Sequence, residues 1–464
     1  MRRGPALLCL LLVFGVAVTP AMAQPLIAPG GAAGPPSRSP EIIPDRYIVE
    51  LHPGAPVDAV ARGHGVAPRA RFGIINGFVA HMSHAAATAL SHDPRVRRVS
   101  PDLVVRAYAK PSSPPGKNKN NPSAGGGETP SCPTPLPVTA EQVPVGVARI
   151  GAPDAWSSAI TRSEVKVAVI DTGIDFCHPD LAANYLAGIN YIDSSQPPRD
   201  DNGHGTHVSG IIAAARNDTG VVGVAPKAKL LVAKVLDATG SGSLSSVVTA
   251  LDWAVQNGAR VVNLSLGAAD FWCNLGVCGA GPECTAISNA VAHGVVVVVA
   301  AGNSADEALF YTPANCQDSL TVSALDASSG QFAAFSNHSI YFRDVDGDGA
   351  FTINDYPIVD LIAPGVNVLS TMPTYDVTLT TVYGISKNYG VLSGTSMATP
   401  HVAGAAALYL SGNPLASADA VRRAIVTGGE CADSSAAAGG IVCESPWPFD
   451  PDGVGEPLVD ASGL

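Results

Sequence analysis

Residues Val165–Asp171 read VKVAVID, an apolar run that ends in a carboxylate. Near-continuous Val-rich runs of this kind are typical of strands buried on both faces of a parallel sheet. Helix-like stretches lie between them at Ser245–Gly258 and Ala286–Gly294. The alternation predicts an α/β domain built on a doubly wound, mostly parallel sheet. The runs that repeat the pattern are KLLVAKVL at Lys229–Leu236, ARVVNLSLG at Ala259–Gly267 and GVVVVVAAGN at Gly294–Asn303.

The chain has 464 residues, which gives room for about two or three domains of ordinary size. Its composition is 46% hydrophobic and only 14% charged, with 48 Gly and 38 Pro. Such a balance fits a compact, loop-rich protein with a large core and argues against a disordered chain.

Residues 1–23 read MRRGPALLCLLLVFGVAVTPAMA and have the three parts of a secretory signal peptide: two Arg, an apolar run and a small-x-small cleavage site. The alternative is an uncleaved anchor helix, but the apolar run Ala6–Val18 is shorter than the ~20 residues that span a bilayer. We therefore expect a secreted protein with no membrane attachment after signal removal.

Eight Cys remain after Cys9 of the signal peptide. An even number in an oxidising compartment favours up to four disulfides, whose pairing the sequence leaves open. Cys273, Cys278 and Cys284 could instead suggest a metal cluster, but no His or further Cys completes a zinc-like spacing. Disulfide bonding is the preferred interpretation.

The front of the chain divides into three further segments. Residues 24–40 are a Pro- and Gly-rich spacer, and residues 41–109 show a strand, strand, helix, strand pattern that predicts a small α+β unit. Residues 110–140 have almost nothing to bury and are expected to be a flexible, cleavable linker. Residues 1–109 carry a net charge of +5 and the rest of the chain −17, so the two parts could attract each other.

Three polar residues stand at predicted strand ends or helix starts. Asp171 ends its strand, His204 lies in DNGHGTHVSG, and Ser396 lies in SGTSMATPHVAG ahead of an apolar helix. A carboxylate, an imidazole and a hydroxyl are the groups that nucleophilic acyl transfer requires. Taken singly, each has an ordinary alternative: a turn residue, a structural histidine and a helix cap. Together they predict a catalytic site at the carboxyl ends of the strands.

Four segments, VAVIDTGID, NGHGTHVSG, AAGN and GTSMATPHVAG, carry a family resemblance. In this order they are similar to the landmark segments of the subtilisin-like serine proteases. The resemblance implies a subtilisin-like catalytic domain over residues 141–464 and a serine endopeptidase that works through an acyl-enzyme. It makes Asp171 the orienting acid, His204 the general base and Ser396 the nucleophile. It also implies that Asn303 donates to the oxyanion and that His207 is a packed helix residue.

The same resemblance implies where a polypeptide substrate lies. An extended peptide is expected to pair with two segments, and a third forms the wall of the first specificity pocket. No acidic residue stands in these segments, so the expectation is broad cleavage with an uncharged or apolar preference. The implied contact residues are Ser265, Leu266, Gly267, Gly240, Ser241, Gly242, Ala300, Ala301 and Gly302.

The unit at residues 41–109 resembles the prodomain that chaperones folding of these proteases and inhibits them. The chain is therefore expected to be a self-processing zymogen, cut somewhere between about Ala109 and Gln142. We expect polypeptide substrates, the chain's own prodomain as an intramolecular inhibitor, no nucleic-acid partner and a monomer.

An acidic insertion at 340–359 departs from the family pattern. Its oxygen-bearing residues have the spacing of a calcium loop, and the alternative is a solvated acidic loop. Asp180 in HPDL matches a family calcium ligand and forms a weaker candidate site. We expect structural Ca²⁺ and no catalytic cofactor. The candidate ligands are Asp344, Asp346, Asp348, Ala350, Thr352 and Asp355.

Other classes of function fit the sequence less well. A catalytically silent binding relative is disfavoured because all four implied catalytic residues are present. An adhesive protein built on the calcium loop is disfavoured because the loop has no tandem copy. An esterase would usually show a G-x-S-x-G elbow with the serine first, whereas Ser396 comes last.

Overall fold

The computed structural model describes residues 39–108, 110–111, 140–156, 164–343, 356–431, 443 and 447–464. The first of these ranges forms an α+β unit in which the first strand pairs antiparallel with the third and fourth. Its elements and the short strand that follows are β1 Ile42–Leu51, α1 Val57–Gly63, β2 Ala70–Phe72, β3 Gly77–His81, α2 His84–Ser91, β4 Val96–Ala107 and β5 Lys110–Pro111.

The α+β unit contains the predicted strands and helix and two elements that were not predicted, the short strand β2 and the helix α1. This helix has only seven residues, begins after Pro56 and makes no side-chain cap, so its local signal is weak. Val60 and Ala61 pack it against Phe78 and Leu90 on one face of the small sheet. Tertiary burial rather than propensity therefore stabilises the helix.

The rest of the chain forms the α/β domain. Its strands are β6 Lys166–Asp171, β7 Tyr185–Asn190, β8 Lys229–Lys234, β9 Ser241–Ser243, β10 Val261–Leu264, β11 Leu266–Ala269, β12 Val296–Ala300, β13 Tyr311–Thr312, β14 Leu320–Asp326, β15 Gln331–Phe332, β16 Phe342–Arg343, β17 Tyr356–Pro357, β18 Leu361–Pro364, β19 Val368–Thr371 and β20 Tyr389–Ser393. Its helices are α3 Val145–Arg149, α4 Ala152–Trp156, α5 His204–Ala213, α6 Leu244–Gln256, α7 Pro282–Ala292, α8 Thr378–Thr381, α9 Thr395–Gly412 and α10 Ala418–Thr427.

The main sheet has the order β15-β14-β12-β10-β6-β8-β7, with β18 also paired to β14. Every ladder in it is parallel except β14 with β15. Alternate residues of β6 point to hydrophobic cores on opposite faces of the sheet. Val167 and Val169 pack with α5 and α9, whereas Ala168 and Ile170 pack with α6 and α7. The doubly wound α/β fold expected from the Val-rich runs is thus the observed one.

One of the predicted strands is divided into two strands in the structure. The run Ala259–Gly267 breaks at Ser265, where β10 leaves the main sheet's ladder and β11 begins to pair antiparallel with β4 and β13. A continuous apolar run carries no signal for such a break, because burial continues on both sides of it. The break turns the Ser265 carbonyl away from the sheet and toward the site described below.

Disulfides confirm the interpretation of the Cys residues. Cys273 pairs with Cys278, Cys284 with Cys316 and Cys431 with Cys443. Cys177 is disulfide-bonded as well. The alternative of a metal cluster at Cys273, Cys278 and Cys284 is therefore wrong. Among the described residues, none of the helices combines the length and apolarity that crossing a membrane requires.

A carboxyl cluster lies near the C-terminus, where Asp450 and Asp452 stand in a stretch whose Pro and Gly content is typical of a solvated turn. Glu456 is 1% exposed, and its pKa is raised far above the ordinary value by burial and then by the charge of Asp450. Burial and Asp452 likewise raise the pKa of Asp450 to about 8. The folded state therefore holds protons on carboxyls that the unfolded chain releases near pH 4.

Replacing Glu456 by Gln should make the fold less sensitive to alkaline pH. A carboxyl whose pKa is raised by folding keeps its proton in the native state, so the free energy of unfolding falls as pH rises toward the folded pKa. Gln carries no charge, and we expect Glu456→Gln to be about as stable as the parent at pH 5 and roughly 1–3 kcal/mol more stable at pH 9. Urea unfolding in a Ser396→Ala background, which excludes self-digestion, measures both values. Glu164→Gln, at a carboxylate 71% exposed, is the control and should change neither. Equal pH dependence of parent and Glu456→Gln would contradict the prediction.

Candidate active site

Asp171 and His204 meet at the carboxyl end of β6. The Nδ1 atom of His204 lies 2.7 Å from Oδ1 of Asp171, and both side chains are buried. The backbone N–H of Thr172 donates to the same carboxylate oxygen at 2.7 Å. Because the carboxylate accepts the Nδ1 proton, Nε2 is left as the basic nitrogen, and it makes no hydrogen bond within the described residues.

The loop before His204 is ordered by Asp200, a residue that was not among the predicted site residues. Its carboxylate accepts from Thr172 Oγ1 at 2.9 Å, from Thr206 Oγ1 at 2.7 Å and from the N–H of Gly203 at 2.8 Å. These bonds tie the strand that bears Asp171 to the helix that bears His204. The signal in the sequence was the acidic pair that directly precedes NGHGTH.

His207, the second histidine of HGTH, lies in a different environment. Its Nε2 atom lies 3.1 Å from the carbonyl oxygen of Val368 and 3.2 Å from that of Gly390. Burial, followed by the neighbouring His204, lowers the pKa of His207 to about 3. It is therefore a neutral, packed side chain near neutral pH and has no hydrogen bond to Asp171 that would orient it for proton transfer.

Ser396 is the second residue of α9 and lies at the break between β10 and β11. Its hydroxyl donates to the Ser265 carbonyl at 2.9 Å, and its own carbonyl accepts from Ser265 Oγ at 3.0 Å. The N-terminal end of an 18-residue helix carries partial positive charge, which stabilises a developing anion. A hydroxyl in this position can serve as a nucleophile, and the helix end would stabilise the negative charge that develops when it attacks a carbonyl group.

Asn303 follows β12 and points its amide at the same place. Its Oδ1 atom accepts from Thr395 N at 2.9 Å and from Thr395 Oγ1 at 3.0 Å, which fixes the orientation of the amide group. Its Nδ2 atom donates to the carbonyl of Tyr108 at 2.6 Å. Gly302 permits this turn, since its φ is 111° and a Cβ there would collide with the side chain of Asn337.

The end of β4 lies across the site as an added strand. Val104–Arg106 pair antiparallel with β9, and Ala107 pairs with Leu266 of β11. The N–H of Ala107 donates to Gly240 O at 3.0 Å, and that of Tyr108 donates to Ser265 O at 3.2 Å. Beyond Tyr108, β5 pairs with β20, the strand that ends three residues before Ser396. The chain therefore passes through the site from one side to the other.

Tyr108 directly follows β4 and lies beside one of the predicted substrate segments. Its ring and hydroxyl lie beside Gly267, where a Cβ would approach the hydroxyl to 2.5 Å. Ala300 and Ala301 at the end of β12 are fully buried. The structure thus places two of the three predicted substrate segments, Gly240–Gly242 and Ser265–Gly267, against β4 and Tyr108. The sequence carried no prediction that Tyr108 lies in this groove.

Asp180, the weaker candidate for a calcium ligand, is hydrogen-bonded in the structure. Its carboxylate accepts from the N–H of Val221 at 3.0 Å and from the amide of Asn217 at 3.2 Å, and the hydroxyl of Tyr389 bonds to it as well. Three hydrogen-bond donors therefore contact this carboxylate. The candidate ligands from Asp344 to Asp355 lie outside the described residues. Within the described part of the chain, no group of three or more His, Cys, Asp or Glu could hold a metal ion.

Comparison with known proteins identifies the family. Residues 162–438 match the model of the subtilase family, peptidase S8. Over 278 residues the chain is 43% identical to Subtilisin Savinase of Lederbergia lenta, covering 59% of this chain and 87% of that protein. The same identity and share of this chain are found with an Alkaline protease of Alkalihalobacillus alcalophilus, of which 61% is covered. Subtilisin E of Bacillus subtilis is 36% identical over 348 residues, with 74% of this chain and 73% of that protein covered.

A crystal structure of a cold adapted subtilisin-like serine proteinase is also similar, at a TM-score of 0.49 and 29% identity. The matched region is 64% of this chain and 88% of the chain in that structure. The chain belongs to the subtilase family, since the family model matches more than half of its length. It is a serine endopeptidase, and its substrates are polypeptides.

Proposed function

We propose that the protein is a secreted serine endopeptidase made as a self-processing zymogen, with Asp171, His204 and Ser396 as its triad. The observation that carries the proposal is the course of β4 and Tyr108 through the site. A strand of the chain's own N-terminal unit pairs with β9 and β11 as a substrate would, and the carbonyl of Tyr108, just after that strand, accepts from Asn303.

In the proposed mechanism, Nε2 of His204 takes the proton of Ser396 as Oγ attacks the carbonyl carbon of the residue before the scissile bond. Asp171 holds the Nδ1 proton and stabilises the imidazolium. The carbonyl oxygen becomes an oxyanion, and Asn303 Nδ2 donates to it. The imidazolium then gives its proton to the leaving amine, and water hydrolyses the resulting acyl-enzyme.

Broad specificity follows from how the strand is held. The end of β4 pairs with β9 and β11 through its main chain, and such pairing depends little on side chains. The pocket beside Gly267 receives the Tyr108 ring, which supports an uncharged preference at this position. A peptide panel that showed strict selection of Arg or Lys there would contradict this part of the proposal.

The N-terminal unit is proposed to act as an intramolecular inhibitor. Asp102 of β4 accepts from Ser245 N at 3.0 Å and Ser245 Oγ at 2.6 Å at the start of α6, and it pairs with Arg46 at 2.6 Å. Ile48, Phe72 and other apolar side chains of the unit join the core formed by α6 and α7. This interface would hold the unit in place after its connection is cut.

We expect the maturation cut to fall after Tyr108, at the N-terminal end of the predicted range. N-terminal sequencing of the purified mature enzyme should therefore begin at Ala109. Tyr108→Phe should process as the parent does, because the ring is kept. The Tyr108→Asp variant should be processed at least about tenfold more slowly, since it replaces the ring beside Gly267 with a charged side chain that must lose water there. A parent N-terminus well inside 112–139, with Tyr108→Asp processed normally, would contradict the assignment.

The remaining parts of the proposal rest on sequence. Residues 1–23 and the Asp344–Asp355 loop lie outside the described residues, so the signal peptide and structural Ca²⁺ stay predictions. The monomeric state is likewise a prediction. Intact mass of the culture supernatant protein, and calorimetry with added Ca²⁺ against chelator, test the first two.

A further inference from the structure

A loop beside the substrate groove contacts the N-terminal unit far from the scissile bond. This loop, residues 270–281, follows β11 and is closed by the Cys273–Cys278 disulfide. The guanidinium of Arg98, on β4, lies 5.1 Å from the centre of the Trp272 ring. An arginine over an aromatic face at this distance is attracted by the ring's negative face.

Two buried carboxyl groups lie close to this contact. Asp270 is 1% exposed, and it accepts from the N–H groups of Trp272 at 2.7 Å and Gly279 at 2.9 Å, which holds the loop in shape. Glu283, at the start of α7, is 2% exposed. Its Oε1 accepts from Thr312 Oγ1 at 2.6 Å, whereas its Oε2 has no hydrogen-bond partner among the described residues.

Arg98 carries the complementary charge. Burial lowers the pKa of its guanidinium, Glu50 opposes that shift, and Arg97 adds to it. Glu283 and Asp270 oppose the shift more weakly. Its ion pair with Glu50, within the N-terminal unit, is long, at 3.6 Å from Nη1 to the carboxylate. Nη1 is buried and makes no hydrogen bond in the part of the chain described. A buried carboxyl oxygen without a hydrogen bond thus lies within electrostatic reach of a cation that is itself incompletely paired.

We propose that Trp272, Asp270 and Glu283 form an arginine-binding exosite. It holds Arg98 of the N-terminal unit in the zymogen and, after that unit has left, an arginine of a polypeptide substrate. The proposal rests on the endopeptidase function proposed above. It assigns to the loop a preference for a positive charge well upstream of the cut bond.

The distance along the strand separates this exosite from the groove. Arg98 precedes Tyr108 by ten residues, which in an extended strand is roughly 33 Å. Short peptides that fill only the groove cannot reach Trp272. The exosite therefore discriminates among long polypeptides and leaves the cleavage of short ones unchanged.

The test uses peptides taken from this chain and the mature enzyme. A peptide of residues 95–112 is compared with its Arg98→Gln form, and kcat/KM is measured at the Tyr108–Ala109 bond. We expect the substitution to lower kcat/KM about tenfold, the range of a partly desolvated cation over an aromatic ring. In Trp272→Ala and Glu283→Gln enzymes the two peptides should differ less than about twofold. Glu283→Gln keeps an acceptor for Thr312, and Trp272 is on a surface loop, so the two variants disturb the fold in different ways.

Two controls distinguish the exosite from general effects. Arg97→Gln in the long peptide should leave kcat/KM unchanged, since neighbouring side chains of a strand point to opposite faces. A short peptide of residues 105–110 should be cut equally by parent and variant enzymes. If the short peptide is cut but the long peptide and its Arg98→Gln form are cut at one rate, the exosite is wrong and the protease function stands. If neither the short nor the long peptide is cut, both proposals are overturned.

Discussion

Ser396→Ala should abolish peptide hydrolysis, with kcat lowered about 10⁶-fold, the loss known for the same change in subtilisin itself. The reason is that Ser396 is the proposed nucleophile, and alanine has no hydroxyl that could attack the carbonyl carbon. Residual activity over water is expected from binding and from the oxyanion donors alone. The measurement is the hydrolysis rate of a short peptide by purified parent and variant.

The same variant should also keep its N-terminal unit. If the chain cuts itself after Tyr108, intact mass spectrometry of Ser396→Ala will show the unprocessed chain, whereas the parent will show the mature enzyme. Ser411→Ala is the matched control: this serine lies on the same helix, and its hydroxyl donates to Leu408 O at 2.8 Å, four turns along the helix from Ser396. Maturation of Ser396→Ala at the parent's rate would show that another protease makes the cut.

The α/β architecture could be predicted because it depends on local patterns. Val-rich runs separated by amphipathic stretches indicate buried parallel strands, and the runs at Val165 and Gly294 became β6 and β12. The break at Ser265 could not be predicted in this way. It is set by the pairing of β11 with β4, more than 150 residues earlier in the chain, and has no local signature.

In the candidate site, too, some features have a local sequence pattern and others depend on long-range contacts. Motifs indicated Asp171, His204, Ser396 and Asn303, and the family resemblance selected His204 over His207. The contacts that hold these groups in place have no such motif. The bonds from Asp200 to the loop before His204, and from Thr395 to Asn303, depend on how the folded chain brings these segments together.

The burial of charged groups and the places where they make contacts were the properties hardest to predict from the sequence. Asp450 and Asp452 stand in a Pro- and Gly-rich stretch that is typical of a solvated turn, yet both are half-buried near the fully buried Glu456, and burial raises their pKa values. Conversely, the opposite net charges of the two parts of the chain suggested attraction without a location. In the structure, specific contacts join the two parts: Asp102 at the start of α6, and Arg98 beside Trp272.

Removing the Asn303 amide donor should slow the chemical step without weakening substrate binding. Its Nδ2 atom lies 2.6 Å from the Tyr108 carbonyl oxygen, which in the proposed mechanism gains negative charge as Ser396 attacks. A donor at that atom stabilises the transition state more than the ground state, so Asn303→Ala should lower kcat with little change in KM. The expected loss is about 10²–10³-fold, which is the known effect of losing the equivalent donor in subtilisin itself.

Asn303→Asp sharpens the test because it is isosteric. The carboxylate keeps an acceptor for Thr395 N and Thr395 Oγ1, but it cannot donate, and its charge repels an oxyanion. We therefore expect kcat to fall at least as far as in Asn303→Ala. Thr395→Val, which removes one of the two bonds that fix the amide, should cause a smaller loss. A raised KM with unchanged kcat in Asn303→Ala and Asn303→Asp would contradict the prediction, since it would mean that the amide binds substrate without stabilising the oxyanion.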